Sequence, residues 1–438
     1  QRVSVDGGDL APLLMPAKGV ERDFHDVRAL PDGKGVLYVA DRGGGRVDTI
    51  MVLAGGSAKR VLQIEGETIR APHYASTGHI LFQRTSANPG VWAVPFSLDD
   101  LTAGGDPFLV VPLGTFPSVS REGTLMYLPP AVEGARELVW IDRTGAVVGT
   151  IGRALRGLNS PALSPDGRRV AAAAAEEQHP DIWVFDATRD AQTRLTFGDG
   201  DKTSPAWSPA GDRVFFTWAT PPGPGRSIAA QPADGAGQSQ VIVKTRRGAA
   251  PVVSPDGRFI AYTESGTDVA KTGADIWYAS IDGSVPPRPF ISDQAPQQDP
   301  RFSPDGRYIA YLSFESGRPD VFVKTFPGGE GKWQVSVNPA VAPRWSRRGT
   351  LLFLQPGPTT KVMEATVSTS GAFVAGTPRE VLDFGKVERY AGGWDVNADA
   401  TRFVVMRQSA SAPRQLPSMT VVQNWFAEFK NRRPSDSR

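Results

Sequence analysis

The sequence predicts an all-β fold, a β-propeller of four-stranded antiparallel blades of about 45 residues each. Three observations predict it. A tight turn, clearest as Ser164-Pro165-Asp166-Gly167, recurs throughout the chain. A second landmark, a strand built around Trp or Phe, keeps step with that turn. The 47 Gly and 38 Pro of the 438 residues are spread over many turns instead of pooled in one tract.

The turn has a local mechanism. Proline presets φ, the Asp166 carboxylate accepts nearby backbone N–H groups, and Gly167 takes the left-handed conformation that closes a hairpin. The run from Arg169 to Ala175 is apolar without alternation, which suits a strand covered on both faces. Asp181-Ile182-Trp183-Val184-Phe185 reads as a third strand, and Gln192 to Leu195 begins a fourth.

Taken in order, Gln1 to Met15 resembles the last two strands of a unit whose first half is missing, so residues 1–16 are orphan strands that could close a ring. The turn then ends at Gly33, Gly78, Gly123, Gly167, Gly211, Gly257, Gly306 and Gly349, with a degenerate copy at Asn397 to Ala400. Val91-Trp92, Leu138-Val139-Trp140, Asp181-Ile182-Trp183, Asp275-Ile276-Trp277 and Asp320-Val321-Phe322 follow in phase. Residues 17–419 are therefore the repeat array. Eight or nine blades close here, or the chain forms parts of two smaller propellers. Residues 420–438 place Val421, Trp425 and Phe426 as a strand running into a short helix, a cap on the array.

Composition narrows the function classes. Lys plus Arg number 48 and Asp plus Glu 46, with no basic block of the kind nucleic acid or an anionic membrane requires. The absence of cysteine excludes disulfides, thiol catalysis and cysteine-bound metals. No apolar run reaches the roughly 18 to 20 residues that span a bilayer. The start at Gln1, without a leader, is expected of a mature product or a fragment.

The units Ser164-Pro-Asp-Gly-Arg with Asp181-Ile-Trp, Ser254-Pro-Asp-Gly-Arg with Asp275-Ile-Trp, and Ser303-Pro-Asp-Gly-Arg with Asp320-Val-Phe resemble TolB-type propeller repeats. Beyond the repeat, Leu138 to Arg143, Gly329 to Val337 and Val421 to Phe426 are similar to the C-terminal sensor-like halves of bacterial membrane-bound serine/threonine kinases. That resemblance covers nearly the whole chain. It implies an extracytoplasmic location, with a kinase domain and a transmembrane helix upstream, and no phosphoryl transfer by this chain.

No catalytic signature is complete in the sequence. Asp383-Phe384-Gly385 matches the kinase magnesium tripeptide, but no His-Arg-Asp loop, Val-Ala-Ile-Lys strand or glycine-rich loop accompanies it. Gly43-Gly44-Gly45 lacks the Lys-Ser/Thr of a phosphate loop and reads as a slack connection. A hydrolase nucleophile in Gly-x-Ser-x-Gly is missing. The four histidines, His25, His73, His79 and His179, assemble no evident metal site, and Asp199-Gly200-Asp201 lacks the glutamate of a calcium loop. No catalytic residue, cofactor or metal is assigned. Asp166, Asp256 and Asp305 recur once per unit and mark architecture, as do Trp183 and Trp277.

Binding residues are expected on the loops between second and third strands and between blades, around the channel mouth. These carry Glu176, His179, Asp199, Asp201, Lys202, Asp293, Gln298, Asp299, Glu315 and Arg318. The expected partner is a small ligand or a protein at that face. The expected role is a non-catalytic binding module; a lyase or glycosidase working in the channel and a free-standing periplasmic scaffold are the alternatives.

Overall fold

A computed structural model describes residues 13–15, 23–41, 48–64, 67–85, 89–129, 134–176, 179–219, 225–265, 273–328, 331–369, 373–409 and 419–429. The expected orphan strands, the Gly43-Gly44-Gly45 connection and the middle of the loop after Glu176 lie outside these residues, apart from Leu13 to Met15. Apart from three short 3₁₀ turns, the described elements are strands, and no described helix is long and apolar enough to cross a membrane.

The chain divides into two compact units. The first comprises Gln1–Val132, Thr267–Ala270 and Gln415–Arg438. Its described residues form three sheets. Asp23–Ala29, Val36–Asp41, Thr49–Ala54 and Ser57–Gln63 form one; Ile69–Ala75, His79–Arg84 and Gly90–Ser97, with Thr102–Ala103 and Phe108–Pro112 on its edge, form the next. In the third, Thr115–Val119 and Leu125–Leu128 pair with Thr420–Val422. Leu37, Ile50, Ile80 and Phe82 join the first two sheets, and Leu81, Val91, Leu125 and Trp425 the second and third. Val421 thus belongs to this third sheet.

The second unit holds six four-stranded sheets. Four take consecutive strands, and a fifth skips the small hairpin of Val367–Ser368 and Val374–Ala375 before its last strand, Arg379–Asp383. Their innermost strands are Asn159–Leu163, Asp201–Trp207, Ala249–Val253, Gln297–Phe302 and Val341–Trp345. The sixth is composite: Tyr390–Val396 and Arg402–Gln408 from late in the chain pair with Arg136–Asp142 and Val147–Leu155 from early in it. Each sheet shares an apolar cluster with the next. Ile151, Leu155, Val170 and Phe185 bridge the composite sheet to its successor. Ile182 and Val214, then Phe215 and Ile260, then Ile276 and Ile309, then Tyr308 and Leu351 continue the series. Val362, Leu382, Phe403 and Val405 return it to the composite sheet, so the ring closes at six blades. The nine repeats are divided between two units, the arrangement left open beside a single ring of eight or nine. The ring is closed by Arg402–Gln408 on Arg136–Asp142.

The repeated turn forms as its residues dictate. Gly167 N–H donates to the Ser164 carbonyl at 2.8 Å with φ +73°, and the Ser164 hydroxyl donates to Asp166 at 2.5 Å. Asp166 also accepts Arg168 N–H, while Ser164 Oγ accepts Arg169 N–H. The Ser164 bond holds the Asp166 carboxyl below its ordinary range. Ser254-Asp256 and Ser303-Asp305 repeat the arrangement. These aspartates are committed to turns.

Candidate functional site

Inside the six-bladed unit, the innermost strands surround a cavity of about 1030 Å³. Each of these strands carries a residue with positive φ, Ser160, Ser204, Ala250, Asp299, Ala342 and, on Tyr390–Val396, Gly393 together with Gly392. The strand register shifts at the same six places, so each is a β-bulge that bends the strand and re-aims the residues after it. All six bulge residues line the cavity. In five cases proline follows, at Pro161, Pro205, Pro251, Pro300 and Pro343, and removes a donor that the bulge could not satisfy. A Cβ on Gly393 would meet Met406 and, at 3.0 Å, Pro161, so only glycine fits this bulge.

Two residues beyond each bulge lies a second ring, and it is divided. Ala162, Ala206 and Val252 line one side, on three successive blades; Arg301, Arg344 and Asp395 line the other. The charged half is internally linked. Arg301 Nη2 lies 2.7 Å from Asp299 Oδ1, and Arg344 Nη1 lies 3.5 Å from Asp299 Oδ2. Arg344 Nε reaches Asp395 Oδ1 at 3.7 Å, and its guanidinium sits 5.7 Å from the Trp394 ring centroid. Asp395 Oδ2 accepts Leu163 N–H at 2.7 Å. Burial, with Arg344 alongside, pulls the Arg301 guanidinium down to about 10, so it stays charged at neutral pH. Arg136 and Arg347 also line the cavity, giving four arginines against two aspartates. No histidine, lysine or glutamate is among the described lining residues.

The lining reaches Pro165, Pro209, Pro255 and Pro304, the prolines of the repeated hairpin turns. Antiparallel order puts those turns at the end opposite the loops from which binding residues were expected. Of the ten expected residues, Asp299 lines the cavity and Gln298 precedes it on the same strand. The other eight lie elsewhere. Glu176 accepts Arg156 N–H at 2.7 Å, and His179 Nδ1 lies 2.9 Å from Asp201. Lys202 is 1% exposed and lies 3.2 Å from Asp181. The Asp199 carbonyl accepts the Trp218 indole N–H. Lys332 pairs with both Asp293 and Glu315, and Arg318 with Asp320. These contacts tie strands and connections together, within one blade or, as with Asp201 and Lys202, between adjacent ones.

Sequence reasoning also passed over the aspartates that open the third strands. Asp181 is 1% exposed and takes Arg194, Lys202 and the Thr196 hydroxyl. Asp320 takes the hydroxyls of Ser316 and Ser336. The signal was present, because Asp181, Asp275 and Asp320 recur at one position of the repeat. So do Pro161, Pro205, Pro251, Pro300 and Pro343, each three residues before the turn serine.

The Asp199-Gly200-Asp201 connection has a steric explanation. Gly200 has φ +81°, and a Cβ there would collide with the Ala219 carbonyl oxygen. Gly200→Ala is expected to destabilise by at least about 1 kcal/mol, beyond the entropic gain that Gly→Ala gives at permissive sites. A urea midpoint equal to or above that of the unsubstituted chain would refute this.

Residues 149–283 match the family of the TolB beta propeller domain, so this stretch is TolB-like β-propeller. Over 82 residues the chain is 35% identical to the Tol-Pal system protein TolB of Methylococcus capsulatus, covering 19% of each. Over 78 residues it is 35% identical to tricorn protease homolog 1 of Streptomyces coelicolor, covering 18% of this chain and 6% of that one. The chain thus spans less than a fifth of the length of these curated relatives. A solved TolB-type structure from Agrobacterium tumefaciens aligns with 63% of this chain and 99% of its own, at 17% identity and a TM-score of 0.49.

Proposed function

We propose that this chain is a non-catalytic binding propeller whose ligand enters the cavity of the six-bladed unit. The observation that carries the reading is the divided lining, with Ala162, Ala206 and Val252 facing Arg301, Arg344 and Asp395. The ligand class it suits is a slender molecule or extended peptide segment, apolar along one edge and bearing carboxylates or other acceptors along the other. Arginine forks suit carboxylates because they offer paired donors in a plane. The test is a titration with peptides alternating leucine and glutamate, against counterparts carrying glutamine. The acidic series is expected to bind, and Arg344→Gln to weaken it at least about tenfold, about 1.4 kcal/mol. Ala206→Phe, which narrows the apolar side, is expected to weaken both series. Binding indifferent to both substitutions would remove the cavity from consideration.

The finer reading is that the array is the extracytoplasmic, sensor-like part of a membrane serine/threonine kinase. It rests on the resemblance of Leu138 to Arg143, Gly329 to Val337 and Val421 to Phe426. The reading frame upstream of Gln1 tests it, with a transmembrane segment and a His-Arg-Asp loop expected. A frame with neither leaves a free-standing, TolB-like scaffold.

One observation favours an enzyme instead: Asp299 and Asp395, two carboxylates of the kind glycosidases pair, converge on Arg344. Turnover of an oligosaccharide that disappears in Asp395→Asn would establish it. The guanidinium between the two carboxylates occupies the space such a pair leaves for substrate, which favours binding over catalysis.

A further inference from the structure

The cavity of the six-bladed unit ends at the hairpin turns, and its lining there is a ring of prolines broken at one place. Pro165, Pro209, Pro255 and Pro304 hold the second position of the turn on four blades. The blade of Val341–Trp345 turns through Ser346-Arg347-Arg348-Gly349 instead, so the residue in register is Arg347, and it lines the cavity too. The composite sheet has Ala398 there, which is not among the described lining residues. The turn forms regardless of the exchange. Gly349 N–H donates to the Ser346 carbonyl at 3.1 Å with φ +78°, and Ser346 Oγ accepts Thr350 N–H. Local structure therefore tolerates arginine at this point without accounting for it.

The side chain reaches across the mouth. Arg347 N–H donates to the Ala398 carbonyl at 2.8 Å, in the turn of the composite sheet, and Arg347 Nη2 donates to the Pro165 carbonyl, on the blade beyond. Both acceptors are neutral. Among the described residues no carboxylate pairs with Arg347, which is exposed. The deeper arginines are held differently: Arg301 and Arg344 lie against Asp299 and Asp395, and Arg136 donates to the Leu158 carbonyl at 3.0 Å. The prolines around the mouth offer neither charge nor a backbone donor. One guanidinium, resting on a carbonyl, is thus the anion receptor at this end. A carboxylate takes its N–H groups in a paired fork, about twice as strongly as a neutral oxygen does, so an arriving carboxylate displaces the Pro165 carbonyl.

We infer that Arg347 is the specificity-determining residue at the hairpin end of the cavity, selecting extended ligands that end in a carboxylate, as the free C-terminus of a peptide does. This rests on the cavity being the binding site, as proposed above, and gives its ligand a direction. The terminal carboxylate lies at the turn prolines, and the segment behind it runs between the apolar side and the side of Arg301 and Arg344.

The experiment uses the full chain in two arms. The sequence has no cysteine, so Ala206→Cys places a single thiol in the cavity. Its modification is timed with an anionic and a cationic methanethiosulfonate, each relative to its rate with a free thiol. The anionic reagent is expected to be favoured, and adding Arg347→Gln should lower that preference at least about twofold. Arg348→Gln, at an exposed neighbour outside the described lining, should leave it unchanged. In the second arm, peptides alternating leucine and glutamate are titrated with free and with amidated C-termini. The free terminus is expected to bind at least about tenfold more tightly. Arg347→Gln should abolish that difference, whereas Arg344→Gln should weaken both forms alike. A reagent preference unmoved by Arg347→Gln, or a free-terminus preference that persists in it, overturns the assignment. Peptide binding that is absent, or indifferent to Arg344→Gln and Ala206→Phe, fails the cavity as a site and this inference with it; cavity binding indifferent to Arg347→Gln fails this inference alone.

Discussion

Asp181→Ala is expected to lower the stability of the six-bladed unit by about 3–5 kcal/mol, the cost of leaving a partner charge buried. Lys202, at 1% exposure, then retains the Gly198 carbonyl and the Trp218 face but loses its counter-charge. Arg194, 20% exposed, loses a contact of 2.6 Å, and the Thr196 hydroxyl loses its acceptor. Thr196 also accepts Ile182 N–H, so third and fourth strands of the blade loosen together. Asp181→Asn keeps an acceptor for Thr196 and removes the charge; it should fall between Ala and the unsubstituted chain. Arg194→Ala leaves Asp181 with Lys202 and should cost less than Asp181→Ala. The measurement is urea unfolding followed by tryptophan fluorescence, since Trp183, Trp207 and Trp218 surround the blade. A loss below about 1 kcal/mol for Asp181→Ala would mean that Lys202 neutralises or reaches solvent at little cost, and that the network is not an anchor.

That network illustrates which parts of the molecule were legible in the sequence. The hairpins were, because serine, proline, aspartate and glycine act within a few residues of one another: Ser164, Asp166 and Gly167 make the bonds their chemistry requires without help from the rest of the fold. The strands were, because Val170 to Ala174 and Ile182 carry their apolar pattern locally. The division into two units was not. Every hairpin repeat looks alike, and the ring closes through Arg136–Asp142 against Arg402–Gln408, whose pairing no local feature announces. The cavity was missed for a different reason. Its key positions are backbone bulges occupied by Ser160, Ser204, Ala250 and Ala342, small residues with no chemistry to attract attention, and the in-step prolines that follow them were passed over in favour of charged loop residues. Lys202 shows the hazard of that preference, since a lysine expected on a loop between blades proved to lie on an inner strand, buried against Asp181.

The closing strand should carry the other large effect. Arg402–Gln408 pairs with Arg136–Asp142 at seven successive positions, from Asp142 opposite Arg402 to Arg136 opposite Gln408. Its residues alternate between two interiors. Phe403 and Val405 face Val362, Leu382, Phe384 and Trp394; Val404 and Met406 face Ile151, Leu155 and Val170. One strand therefore fills both interfaces of the composite sheet. Phe403 is fully buried, and its ring centroid lies 6.3 Å from that of Trp394. Phe403→Ala is expected to cost about 3–5 kcal/mol, the range for emptying an aromatic site in a core that can only partly collapse. Arg407→Ala, on the same strand as Phe403, removes a partly exposed pair with Glu137 on the neighbouring strand and should cost below about 1 kcal/mol. Because every blade of a closed ring leans on both neighbours, Phe403→Ala should shift the unfolding of the six blades as one transition, without detaching the composite sheet alone. Hydrogen exchange distinguishes the outcomes. Amides of Phe259–Ser265, in a sheet sharing no cluster with Phe403, should lose protection in parallel with those of Arg136–Asp142. Protection lost only in the composite sheet would mean that the ring is not cooperative and that closure matters locally.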